Sequence, residues 1–80
     1  MKPRALKEVA QAGLVLGFEW IARDKYAGYH FHVIDPIYQV TDWTSPGKSA
    51  LCNGIKITDY PDLPPEKSLL RLRDIMEGTV

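Results

Sequence analysis

Apolar residues recur at helical spacing through the first quarter of the chain. Leu6, Val9, Ala10, Gly13, Leu14, Gly17, Trp20 and Ile21 fall near one face at i, i+3, i+4, i+7 intervals. Pro3 suits a first helical turn, and RALKEVAQA is rich in good helix formers. The period predicts one helix running to about Tyr26, with Gly28 just past its end and Glu19 and Arg23 paired across one turn. The competing reading ends the helix at Gly13 and makes LVLGFEWIAR a strand.

From Tyr29 the period changes to two. YHFHVID alternates and is aromatic and β-branched, which predicts a strand that Asp35-Pro36 terminates. IYQVTDW follows as a second strand, then a long loop, TSPGKSALCNG. Ser45-Pro46-Gly47-Lys48 has the type II turn pattern, and Asn53-Gly54 favours a tight hairpin turn. GIKIT reads as a third strand, paired with IYQVTDW or with a short Ser49–Cys52 strand. A last helix is predicted with Pro64 and Pro65 at its start, Leu69, Leu72, Ile75 and Met76 as its apolar stripe, and Gly78 as its stop. The expectation is one α+β domain over residues 1–80: an N-terminal helix, a two- to three-stranded antiparallel sheet and a C-terminal helix.

Strand parity divides the most informative segment. Tyr29, Phe31 and Val33 share the natural core face; His30, His32 and Ile34 share the other and are expected to meet solvent or a partner. If LVLGFEWIAR is a strand paired with YHFHVID, Phe18 and Trp20 are expected to share a face with Phe31, which places Glu19 opposite His32. A five-residue loop would instead place His32 against Trp20.

Composition narrows the function classes. The 10 basic and 10 acidic residues cancel, without the basic excess of a nonspecific nucleic-acid binder. Cys52 is the single cysteine, so the chain forms no internal disulfide and no multi-thiolate zinc site, and it reads as cytoplasmic. No segment is long enough to span a membrane. His30 and His32 alone are too few for a zinc site, so neither metal nor cofactor is expected. Gly47-Lys48-Ser49 lacks the glycine a P-loop needs five residues upstream, where Asp42 stands. Cys52 has no evident activating base.

The order helix, strands, helix, with Gly28-Tyr29-His30 in its middle, resembles the HicA-type toxin ribonucleases, as do Gly17-Phe18 and the terminal LLRLRDIMEG. The resemblance implies a double-stranded-RNA-binding-domain fold, RNA as a partner, and a catalytic histidine in a Gly-x-His context, which here is His30. Lys56 or Arg23 would then lie near the phosphate. The chain departs from that pattern in its neutral charge and in the TSPGKSALCNG insertion.

The aromatic supply exceeds what so small a core needs, and Trp and Tyr are enriched at interface hot spots. The sequence therefore leans away from an enzyme and towards a small protein-binding module, an inhibitor or adaptor whose partner is another protein. Its binding residues would be Tyr26, His30, His32, Tyr38, Trp43, Lys48 and Tyr60. The HicA-like ribonuclease is the alternative. A third reading is a homodimer assembled on the Gly13/Gly17 face or the Leu69–Met76 stripe.

Overall fold

The computed structural model describes residues 2–25, 28–52 and 55–78. Their order is β1 (Lys2–Arg4), α1 (Leu6–Val15), β2 (Trp20–Asp24), β3 (Gly28–His32), β4 (Ile37–Gln39), β5 (Asp42–Thr44), β6 (Ser49–Leu51), β7 (Ile55–Ile57), a 3₁₀ turn (Pro65–Lys67), β8 (Leu70–Arg71) and α2 (Leu72–Glu77). The α+β class holds, with a more elaborate sheet arrangement than the sequence predicts. The main sheet is antiparallel in the order β6-β3-β2-β8. β4 and β5 form a separate hairpin, and β1 pairs in parallel with β7.

The long N-terminal helix is not formed. α1 ends at Val15, and Gly17 adopts φ +93°, a left-handed conformation that closes the helix and turns the chain into β2. Helical periodicity past Gly13 had a different cause: Ile21 is buried from a strand, and Trp20 beside it faces the other side of the sheet. At the helix start, Ala5 has no side chain able to cap, and Asp59 supplies the cap from a distance, its Oδ1 accepting from Leu6 N–H at 2.6 Å.

IYQVTDW is likewise not one strand. It folds back on itself at Val40-Thr41, with Val40 at φ +56°, into the β4–β5 hairpin. GIKIT contributes β7, whose partner is β1 rather than IYQVTDW. Ser49–Leu51 pairs with β3. Gly47 is not among the glycines with positive φ, so the turn there is not type II. Glycine is needed at that point for space, since a Cβ would meet Ile34 Cδ1 at 2.8 Å. Asn53-Gly54 lies outside the described residues. The two prolines precede the 3₁₀ turn, and α2 starts only at Leu72, after the short strand β8. Gly78 does stop it, at φ +76°.

Both helices pack on one face of the main sheet. The core joins Leu6, Val9 and Ala10 of α1 with Ile21, Phe31 and Leu70 of the sheet and Leu72 and Ile75 of α2. Gly13 is the point of closest approach: a Cβ there would sit 2.7 Å from Phe31 Cε1 and 2.8 Å from Leu72 Cδ1. Gly13, Leu72 and Ile75 are therefore buried inside the chain, whereas Gly17 is exposed and Leu69 and Met76 are half-buried. Among the described residues no helix is long and apolar enough to cross a membrane.

Candidate functional site

The opposite face of the sheet carries the chemistry, and its register is the key. Trp20 pairs with His32, Ile21 with Phe31, Ala22 with His30 and Asp24 with Gly28. Three residues separate the paired Asp24 and Gly28, an odd number, so Trp20 faces the histidine side and the core position is Ile21. His32 stands opposite Trp20 rather than Glu19, although Glu19 N–H donates to His32 O at 3.0 Å. Phe18 still reaches the core and stacks on Phe31 with ring centroids 5.4 Å apart, because residues 18 and 19 precede the strand and do not obey its alternation.

Parity places His30 and His32 together on the face away from the helices, as the alternation of YHFHVID predicts. Solvation does not follow. His32 is only 2% exposed, and the segment that follows the β4–β5 hairpin reaches it through Ser45. Its Nδ1 lies 3.2 Å from Ser45 Oγ, and its Nε2 is buried with no hydrogen-bond partner. Burial lowers the pKa of His32, the neighbouring His30 lowers it further, and Asp24 acts in the opposite sense. The native ring is thus neutral. Unfolded His32 takes up a proton near its ordinary value of 6.5, whereas the folded ring does so only at lower pH. Stability from this group is complete above pH 6.5 and drains away as pH falls through the folded value. A urea-denaturation series from pH 7.5 to 5 should show falling stability, and His32→Gln should flatten that slope.

His30 differs. It keeps 22% of its side-chain exposure, while its Nδ1 is shielded and lies 3.1 Å from Asp24 Oδ2. That is ion-pair distance, off the line of a formal hydrogen bond. Asp24 is buried, and its second oxygen, Oδ1, accepts from Trp43 N–H at 2.9 Å. Trp43 is anchored in turn by its indole Nε1–H, which donates to Pro65 O at 2.8 Å, and its ring meets Tyr38 edge-on at 5.3 Å. The hairpin therefore fixes a carboxylate that fixes a histidine. The carboxylate thus stands against the Nδ1 side of the ring.

The remaining candidate residues scatter. Tyr38 and Trp43 are half-buried and contact each other rather than standing free. Tyr60 packs on Tyr29 at 4.8 Å, and its hydroxyl donates to Ser68 O on the helix side of the sheet. Burial pushes its pKa up, with Tyr29 adding to the effect. Lys48 is exposed and its carbonyl accepts from Val33 N–H. Tyr26 lies outside the described residues. Arg23 pairs with Tyr29 in the alternate row and donates to Leu63 O; Lys56 is on β7. Neither stands beside His30. Burial pushes the Cys52 thiol up to about 12, which makes it inert as a nucleophile at neutral pH.

Asp24 and Ser45 are the site residues that sequence reasoning missed. Asp24 was legible only through the odd spacing before Gly28, which fixes the register. Among the described residues, no group of three or more His, Cys, Asp or Glu side chains could hold a metal ion. The fold and site define a small α+β protein whose sheet face away from the helices holds an aspartate–histidine pair. No family model, curated protein or solved structure matches the chain.

Proposed function

We propose that the chain is a small ribonuclease acting in the cytoplasm, with His30 as its proton-transfer group. One observation carries the reading: a partly exposed imidazole backed at Nδ1 by a buried carboxylate that is itself held by the Trp43 backbone. Imidazole both accepts and donates a proton near neutral pH, and a carboxylate behind it orients the ring and stabilises the cation. The Gly28-Tyr29-His30 context, similar to that of HicA-type toxins, supports the same reading. So does the set of α1, β2, β3, β6 and α2, which gives the helix–strands–helix order of that resemblance.

His30 takes the proton from a ribose 2′-hydroxyl as its oxygen attacks the adjacent phosphorus. The P–O5′ bond breaks, a 2′,3′-cyclic phosphate remains, and the protonated ring returns the proton to the departing 5′-oxygen. The purified protein should cleave single-stranded RNA in a chelating buffer and leave DNA of the same sequence intact, as resolved on a denaturing gel. RNA left whole would count decisively against the reading.

A second reading, protein binding, has its own observation. A cleft of about 520 Å³ runs between α1 and the edge strand β6, lined by Arg4, Val9, Ala12, Leu16, Phe31 and Leu51 among others. Leu16 and Leu51 are 68% and 49% exposed. Exposed apolar surface of this kind suits a protein partner. The cleft lies across the sheet from His30, so the two readings are compatible. Leu16→Asp should abolish capture of a partner from lysate while leaving the unfolding midpoint within about 0.5 kcal/mol, as surface substitutions do. Capture undiminished by Leu16→Asp would remove this cleft as the binding surface.

A further inference from the structure

We infer that Trp20 and Arg71 form a nucleotide subsite beside the Asp24–His30 pair, one that holds an unpaired base and its phosphate. The inference rests on the ribonuclease reading and deepens it by naming a single strand as the substrate. The sheet register places the residues in two rows on the face away from the helices. Ser49, His32, Trp20 and Arg71 stand directly across from one another on β6, β3, β2 and β8; Leu51, His30 and Ala22 form the next row. Trp20 is half-buried and Arg71 exposed. The Arg71 guanidinium carbon lies 5.3 Å from the Trp20 ring centroid.

Arg71 lies over the Trp20 ring as a cation–π pair, so a base takes that face as the exposed guanidinium turns to the phosphate: an aromatic plane for a base and a cation for the phosphate are the two groups that single-stranded nucleic acid uses. Arg73 adds a second guanidinium, since Arg71, Arg73, Glu19 and Leu14 line one small cleft. Glu19 is the single carboxylate there, so the local balance is positive although the chain is neutral. His30 sits one row away from Trp20, two residues along β3, which is about 7 Å of strand. That is the scale of one nucleotide step, so a base on Trp20 sets the neighbouring phosphate near His30. Stacking requires an unpaired base, because a duplex hides its faces.

The test measures binding of a short 2′-O-methyl RNA, which cannot supply the attacking hydroxyl, alongside cleavage of the matching RNA. Trp20→Leu and Arg71→Met keep apolar bulk, and circular dichroism confirms that each variant folds. The subsite predicts about tenfold weaker binding for Trp20→Leu, a smaller loss for Arg71→Met that shrinks at high salt, and a KM rise with little change in kcat for both. Wild-type protein that binds and cleaves RNA, with both variants binding like wild type, overturns the subsite and leaves the ribonuclease reading intact. Trp20-dependent binding without any cleavage supports the subsite and overturns the ribonuclease reading. Wild-type protein that binds no oligonucleotide overturns the subsite.

Discussion

Replacing His30 by alanine should reduce RNA cleavage by roughly 10²–10⁴-fold, the usual contribution of a positioned acid–base group. Among the described residues the ring has no substitute nearby. His32 is on the same face but is buried, with Nδ1 against Ser45. Tyr60 and Cys52 have their pKa values pushed up by burial and lie on the helix side of the sheet. The unfolding midpoint of His30→Ala should move little, because the residue is partly exposed and outside the core. Asp24→Asn should lower kcat less than His30→Ala, because the carboxylate acts by holding the ring rather than by touching RNA. Its effect separates from simple damage through a fall in kcat with little change in KM, in a protein that urea denaturation shows to be folded.

Leu72→Ala is expected to have the largest effect on stability. Leu72 is wholly buried at the start of α2, and its Cδ1 reaches the point where α1 comes closest to the sheet at Gly13. Truncation removes that contact and leaves a cavity between two helices and Phe31, which costs about 2–5 kcal/mol. A domain of this size has a total stability of only about 4–12 kcal/mol, so the variant is expected to lose much of its folded margin. Urea denaturation reads this directly. The two substitutions should dissociate: His30→Ala abolishes cleavage in a folded protein, and Leu72→Ala lowers cleavage in proportion to the unfolded fraction.

The sequence was most legible where one physical rule dominates. Alternation in YHFHVID correctly divides Phe31 from His30 and His32, because a strand has only two faces. Gly78 correctly ends α2, since its left-handed conformation favours glycine. The failures share a cause: local pattern does not reveal what covers a surface. His32 looked wet because nothing in YHFHVID announces that Ser45 will lie against it. The stretch after Gly13 looked helical because Leu14, Gly17, Trp20 and Ile21 fit a helical period, although the chain turns at Gly17 and Ile21 is buried from a strand. Asp59 capping α1 and Asp24 backing His30 are contacts across 53 and 6 positions of sequence, set by tertiary placement. The long-range contact is invisible to any periodicity, and the short one depends on a register that differs by one residue from the expected pairing.

The most direct test of the central claim uses a DNA strand carrying a single ribonucleotide. The wild-type protein should cut it only on the 3′ side of that ribonucleotide and leave a 2′,3′-cyclic phosphate, detected by mass spectrometry, with no cut by His30→Ala. A strand left intact by the wild type, or products ending in 5′-phosphates, would contradict the assignment of His30 as the group that activates the 2′-hydroxyl.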